Sequence, residues 1–234
     1  MTSPAREACA LLFDIDGTLV DSTYHHAVAW QRAFHGLDLA VPLYRIHRTV
    51  GMGGDKLVAH VAGDGVEEEK GDRLRADWRQ NYLRIKDEVL PLPGAVELVH
   101  RAARAGYRVA LASSGDPQFA AETVDLLGIR DDVEVLTTSA DVEGSKPEPD
   151  LVGETIARLE GVTHAVLVGD TTYDVQAAQR AGIGCVGLCS GGYSEAELTE
   201  AGALLVVDVP EDLLDLDWAE HCVRVMPHRP QSGG

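Results

Sequence analysis

The stretch CALLFDIDGTLVDS, Cys9 to Ser22, constrains this chain more than any other. Cys9 to Phe13 is apolar throughout and suits a buried strand, yet it runs straight into Asp14, Asp16 and, past Gly17 and Thr18, Asp21. Carboxylates crowded at the end of a buried strand repel one another and resist desolvation, so chemistry or an ion must justify them. The fold has to bring such a strand end to a polar site.

Further runs share that form. RVALAS (Arg108–Ser113), DVEVLTT (Asp132–Thr138), AVLVG (Ala165–Gly169) and CVGL (Cys185–Leu188) are short, apolar and followed by glycine, aspartate or serine. Near-continuous apolarity indicates strands covered on both faces, as in a parallel sheet. GAVELVHRAARAGY, PQFAAETVDLLGI and DVQAAQRAGI read as intervening helices, each ending near a glycine suited to a C-cap. The expected fold class is α/β, a Rossmann-like doubly wound parallel sheet with its ligand site at the carboxyl ends of the strands. LLVVD (Leu204–Asp208) adds a weak edge strand.

Residues from about 22 to 92 break the alternation. YHHAVAWQRAFHGL, DKLVAHVAG and VEEEKGDRLRADWRQNYLRIKDEV have helical spacing and no good strand, and LPLPGA (Leu90–Ala95) stiffens the return. The expected organisation is a core of residues 1–21 and 93–234, with residues 22–92 as a helical insertion over the site. Acidic VEEEKGD reads as a solvated face, and PHRPQSGG as a disordered tail.

A net charge of −18 over 234 residues argues against a nucleic-acid partner, which needs a basic face. It does not exclude a phosphorylated substrate, because a metal or local cations can reverse the field within a cleft. No apolar run is long enough to span a bilayer, and MTSPAREA lacks the apolar core of a secretory signal, so a cytoplasmic location and no membrane partner are expected. Four scattered cysteines read as reduced thiols. Oligomeric state is not legible.

The strand ends carry compatible chemistry. Ser113 and Ser114 close one strand, Lys146 sits in GSKPEPD, and Asp170 and Asp174 follow another in VGDTTYD. Together they match phosphoryl transfer through a protein carboxylate: Asp14 attacks phosphorus, Mg2+ on Asp14, Asp170 and a loop carbonyl offsets the repulsion, and Ser113, amides near Ser114 and Lys146 hold the oxygens. Asp16, on a turn allowed by Gly17, is placed to exchange the protons.

DIDGTLVD, LASSG, GSKPEPD and VGDTTYD, in this order, resemble the four motifs of the haloacid dehalogenase superfamily, over a stretch from Cys9 to about Val207. The helical insertion resembles the alpha-helical cap of its phosphoglycolate phosphatase and beta-phosphoglucomutase subfamily. The resemblance implies Asp14 as nucleophile and Asp16 as general acid and base, with Ser113 and Lys146 gripping the phosphoryl group. It also implies magnesium on Asp14, the main-chain oxygen of Asp16, Asp170 and Asp174. Gly17, Thr18, Ser114 and Gly115 are then expected around the phosphate, Thr18 by orienting the loop at Asp16. His26 and Arg48 are the cap residues expected to meet substrate. Asp174 doubles as a candidate helix N-cap, His47, Trp30 and Trp78 lean towards structural roles, and GMGG is expected to be a flexible specificity loop.

Departures sort the relatives. Asp16 disfavours dehalogenase and phosphonatase chemistry. YHHAVAW resembles the mutase segment at His26, but Gly169 stands where the mutase pattern has glutamate and Gly54 near its cap arginine. A phosphatase acting on a small phosphorylated metabolite is therefore favoured, with a sugar phosphomutase or a non-catalytic capped binding protein as alternatives.

Overall fold

The computed structural model describes residues 5–225; PHRPQSGG lies outside them. In chain order the elements are β1 (Cys9–Phe13), α1 (Thr23–Gly36), α2 (Leu43–His47), α3 (Gly54–Ala62), α4 (Asp64–Tyr82), α5 (Ala95–Arg104), β2 (Arg108–Ala112), α6 (Pro117–Leu127) and β3 (Val135–Thr137). There follow α7 (Asp150–Ala157), β4 (His164–Gly169), α8 (Thr172–Arg180), β5 (Gly184–Leu188), α9 (Glu195–Ala201), β6 (Leu205–Val207) and β7 (Val223–Arg224).

The sheet runs β3-β2-β1-β4-β5-β6, all parallel, with β7 antiparallel against the start of β4. β1 is central: Leu11 lies in register with Val109 on one side and Val166 on the other. Its side chains divide between two cores. Cys9, Leu11 and Phe13 pack with Leu98 and Val99 of α5 and Val124 of α6, while Ala10 and Leu12 pack with Val152 of α7 and Val175 and Ala178 of α8. Successive strand residues point to opposite faces, and both faces are covered, so polarity has no place along β1 until its end.

Local signals set several boundaries. α6 opens with Pro117 after Asp116, whose carboxylate accepts from the Gln118 and Phe119 amides, and closes at left-handed Gly128. α9 opens on a capping box between Ser194 and Glu197. β3 is shorter than DVEVLTT suggests, and α7, α9 and β7 add to the elements read from the sequence. α7 is short, follows two prolines and contains Gly153, which weakens its periodic signal.

Among the described residues, the stretch from Thr23 to Tyr82 adds no strand to the sheet. Its helices pack on one another around Trp30, Phe34, Ile46, Leu57, Val58 and Leu74. The outgoing and returning chains run side by side: the Asp21 amide donates to Leu90 O at 2.9 Å and the Leu92 amide to Leu19 O at 3.0 Å. That paired crossing sets the helical layer over the carboxyl end of β1.

Leu74 is fully buried in this second core. Leu74→Ala should lower unfolding free energy by about 2–5 kcal/mol, measured by urea denaturation, because the surrounding helices cannot collapse fully onto the void.

Candidate active site

The chain turns sharply after β1. The Asp14 amide donates to Val168 O at 2.9 Å, so β4 still holds the strand there, and Leu19 then donates to Ile15 O at 2.8 Å to close a tight loop. Gly17 sits at a φ of +82°, and a Cβ there would collide with Asp170 Oδ2 and Thr23 Oγ1. Both the left-handed backbone and the close approach require glycine.

The loop brings Asp14 against the ends of β4 and of the segment that carries Lys146. The Lys146 ammonium, 1% exposed, pairs with Asp14 and lies 2.7 Å from Asp174 Oδ1. Burial opposes its charge, but the Asp14 and Asp174 carboxylates outweigh that effect and raise its pKa. Asp14 itself is pushed up to about 7, first by burial and then by Asp174 and Asp16, with Lys146 pulling the other way. Asp170 rises well above the carboxylate range for similar reasons, burial first, then Asp174 and Asp14.

Asp14, Asp170 and Asp174 offer carboxylate oxygens within 4.8 Å of one another. Thr18 Oγ1 donates to Asp170 Oδ1 at 3.0 Å, whereas Asp170 Oδ2 is buried and has no hydrogen-bond partner among the described residues. Gly17 and Gly191 both press on that oxygen so closely that a Cβ on either would strike it. A bare oxygen in a glycine-lined cradle beside two other buried carboxylates fits a hard divalent cation, which takes oxygen ligands and cancels their repulsion.

Asp16 is held differently. Ser22 Oγ donates to Asp16 Oδ1 at 2.6 Å, and His26 Nε2 lies 2.9 Å from the same oxygen. Burial pushes the Asp16 carboxyl up, but His26 and Ser22 prevail and hold it below its ordinary value. His26 is fixed in turn by stacking on Tyr82 at 4.1 Å between ring centres. The helical layer thus touches the strand-end loop through α1.

A cavity of about 680 Å³ opens between sheet and helices, bordered by Asp14, Asp16, His26, Ser114 and Gly115 among others. Ser113, Lys146, Asp170 and Asp174 lie beneath its floor, nearly or fully buried. The Gly115 amide donates to Ser113 Oγ at 3.0 Å, which removes that N–H as a phosphate donor. Ser114 Oγ is buried without a partner among the described residues.

Several expectations need correction. Arg48, at the C-terminal end of α2, stands away from the cavity, paired with Glu197 of α9 and stacked 3.9 Å over the Tyr193 ring. Thr18 serves Asp170 rather than the phosphate, and Gly17 acts as a backbone hinge. Asp174 is the third helical residue of a capping box opened by Thr171, not the N-cap. Glu67 of VEEEKGD turns inward to border the cavity. Ser22, Ser190 and Gly191 escaped the sequence reading; Ser190 Oγ donates to Gly17 O at 2.5 Å, and a hydroxyl beside paired glycines after β5 was the available signal.

This is an α/β protein of Rossmann type, with an acidic, cation-suited site at the carboxyl ends of its central strands. The chain belongs to the haloacid dehalogenase-like hydrolases, whose family model matches residues 10–182. It is 31% identical over 214 residues to validoxylamine A 7'-phosphate phosphatase of Streptomyces hygroscopicus subsp. limoneus, covering 88% of this chain and 95% of that protein. It is 28% identical over 224 residues to a phosphoglycolate phosphatase of Mesorhizobium japonicum, covering 93% and 98% respectively. The crystal structure of a hydrolase from Pseudomonas syringae matches with a TM-score of 0.83 and 33% identity, over 88% of this chain and 96% of that one. No described helix is long and apolar enough to cross a membrane.

The raised carboxyls carry a pH signature. Without metal, the folded chain retains protons on Asp14 and Asp170 that the unfolded chain releases above about pH 4, so their contribution favours folding at low pH and is lost as pH rises towards 7. A divalent cation competes with those protons. The rise in melting temperature that a bound divalent cation produces over EDTA should therefore grow from pH 5 to 7.5, as scanning calorimetry would record. Asp170→Asn should flatten that dependence.

Proposed function

We propose that the chain is a magnesium-dependent phosphatase that hydrolyses small phosphorylated metabolites through an aspartyl phosphate on Asp14, with residues 22–92 acting as a cap. The observation that carries this reading is Lys146 tied to Asp14 beneath a cavity whose rim presents Asp16. Relatives named as phosphatases of phosphate monoesters support the same reaction class.

Magnesium, when bound by Asp14, Asp170 and Asp174 with the Asp16 carbonyl, would offset the repulsion between a carboxylate and a phosphoryl group. The chain supplies the remaining steps. Lys146 fixes the Asp14 carboxylate so that its free oxygen meets phosphorus, and the bond from phosphorus to the ester oxygen breaks as the new one forms. Asp16 is ionised in the free protein, so it must first take up a proton from solvent, which the approach of a negatively charged phosphoryl group favours, and it then gives that proton to the departing alkoxide. It then takes one from the water that attacks the aspartyl phosphate, releasing inorganic phosphate and restoring Asp14. Ser22 and His26 aim Asp16 for both transfers. Ser113, Ser114 and Lys146 hold the phosphoryl oxygens, and the helical layer excludes bulk water while Asp14 is attacking.

Asp14→Asn should reduce magnesium-dependent phosphate release to background while the protein stays folded by circular dichroism. Asp16→Asn should lower turnover by about 10²- to 10⁴-fold, the usual contribution of a positioned acid and base. Acid quenching of the Asp16→Asn protein should still trap phosphate on the chain. Full activity of Asp14→Asn would refute the nucleophile assignment.

A further inference from the structure

The cavity is large for the leaving group of a short carboxylic-acid ester, and its charge is lopsided. Apart from the strand-end aspartates, its lining places Asp55, Glu67, Asp116 and Glu143 against Arg75 and Arg79.

Neither arginine is free. Arg75 grips Glu67 with both arms, at 2.8 and 3.1 Å, and also donates to Asp72 at 2.9 Å and to Gly54 O at 3.1 Å. Arg79 pairs with Asp116, donates to Gln118 Oε1 at 2.5 Å and lies 4.7 Å over the Phe119 ring. Bidentate and charge-assisted pairs of this kind are the strong ones, and a ligand anion would have to displace a carboxylate already seated there. The acids are less committed. Asp55 accepts from the Ser145 hydroxyl at 2.6 Å, and Glu143 has no ion pair among the described residues. The wall between them is apolar, built from Val50, Leu57, Trp30 and Trp78.

We propose, resting on the phosphatase reading, that the leaving group is a polyhydroxylated ring without negative charge, so that the substrate is a sugar or cyclitol monophosphate. Ring hydroxyls donate to Asp55, Glu67 and Glu143, and the C–H faces lie on the apolar wall. A second anionic group, whether carboxylate or phosphate, meets unpaired acids and finds no uncommitted cation among the described lining residues. Selection arises as much from this repulsion as from the contacts made.

The test measures kcat/KM for phosphate release with magnesium from glucose monophosphate, inositol monophosphate, phosphoglycolate, a hexose bisphosphate and p-nitrophenyl phosphate. At least one ring monophosphate should exceed both esters that carry a second anionic group by about tenfold or more. In Glu67→Gln, which removes a wall carboxylate and leaves Arg75 held only by exposed Asp72 and Gly54 O, the ratio should shift towards phosphoglycolate by about tenfold. Turnover of p-nitrophenyl phosphate with no ring monophosphate above phosphoglycolate or the bisphosphate overturns this inference alone. An unchanged ratio in Glu67→Gln overturns it as well. No release from any ester, p-nitrophenyl phosphate included, overturns the phosphatase reading and this inference with it.

Discussion

Among the described residues, Lys146 is the one buried ammonium, against which the Asp14 and Asp174 carboxylates are set, and Asp170 joins them without a cation of its own. Burying one cation among three acids leaves negative charge in excess. Removing one partner from a buried ion pair typically costs about 3–5 kcal/mol, so the Lys146 position is tightly constrained. The surplus acid explains the raised Asp14 and Asp170 carboxyls and the bare Asp170 oxygen together. A site with this imbalance is stable when protonated or when a divalent cation is bound, and only the second state leaves Asp14 ionised.

The helical layer completes what the sheet begins. His26 reaches Asp16 from α1, the Gly53 amide donates to Ser145 Oγ at 3.2 Å, and Lys56 donates to Ser145 O at 2.6 Å. On the opposite flank, the hydroxyls of Tyr173 and Tyr193 both donate to Arg48 O at 2.9 Å, and His47 Nε2 lies 2.9 Å from Gly191 O. These contacts converge on segments next to Lys146 and Asp170. Moving the helices therefore disturbs Asp16, Ser145 and Gly191 at once, which links access to the cavity with alignment of its floor.

Much of the sheet was legible because β1, β2, β4 and β5 are buried on both faces and carry uninterrupted apolar runs. The strand-end acids were legible because polarity has so few reasons to follow such runs. Side chains whose value depends on the partner across the fold were harder to read. Arg48 caps the end of a helix and Glu67 lies within one, yet Glu67 turned inward to Arg75 while Arg48 turned to Glu197, nearly 150 positions later in the chain. Ser22 and Ser190 are ordinary hydroxyls until the loop after β1 and the turn after β5 meet. The short β7, exposed and paired with β4 over two residues, has no periodicity to detect.

The distribution of cations joins the acidity of the chain to its chemistry. Arg75 is matched to Glu67, Arg79 to Asp116, Arg48 to Glu197 and Lys146 to Asp14, in a protein whose net charge is −18. Around the cavity, positive charge is used to fix the chain's own carboxylates, leaving little to attract an anion at long range. A phosphate ester must then find its compensation at the floor, from Lys146 and a metal, and nowhere along the walls. On the substrate reading proposed above, such a site would draw in the phosphoryl end of a substrate and resist an anion at the other end. Orientation and selectivity both follow from where the positive charge has been placed.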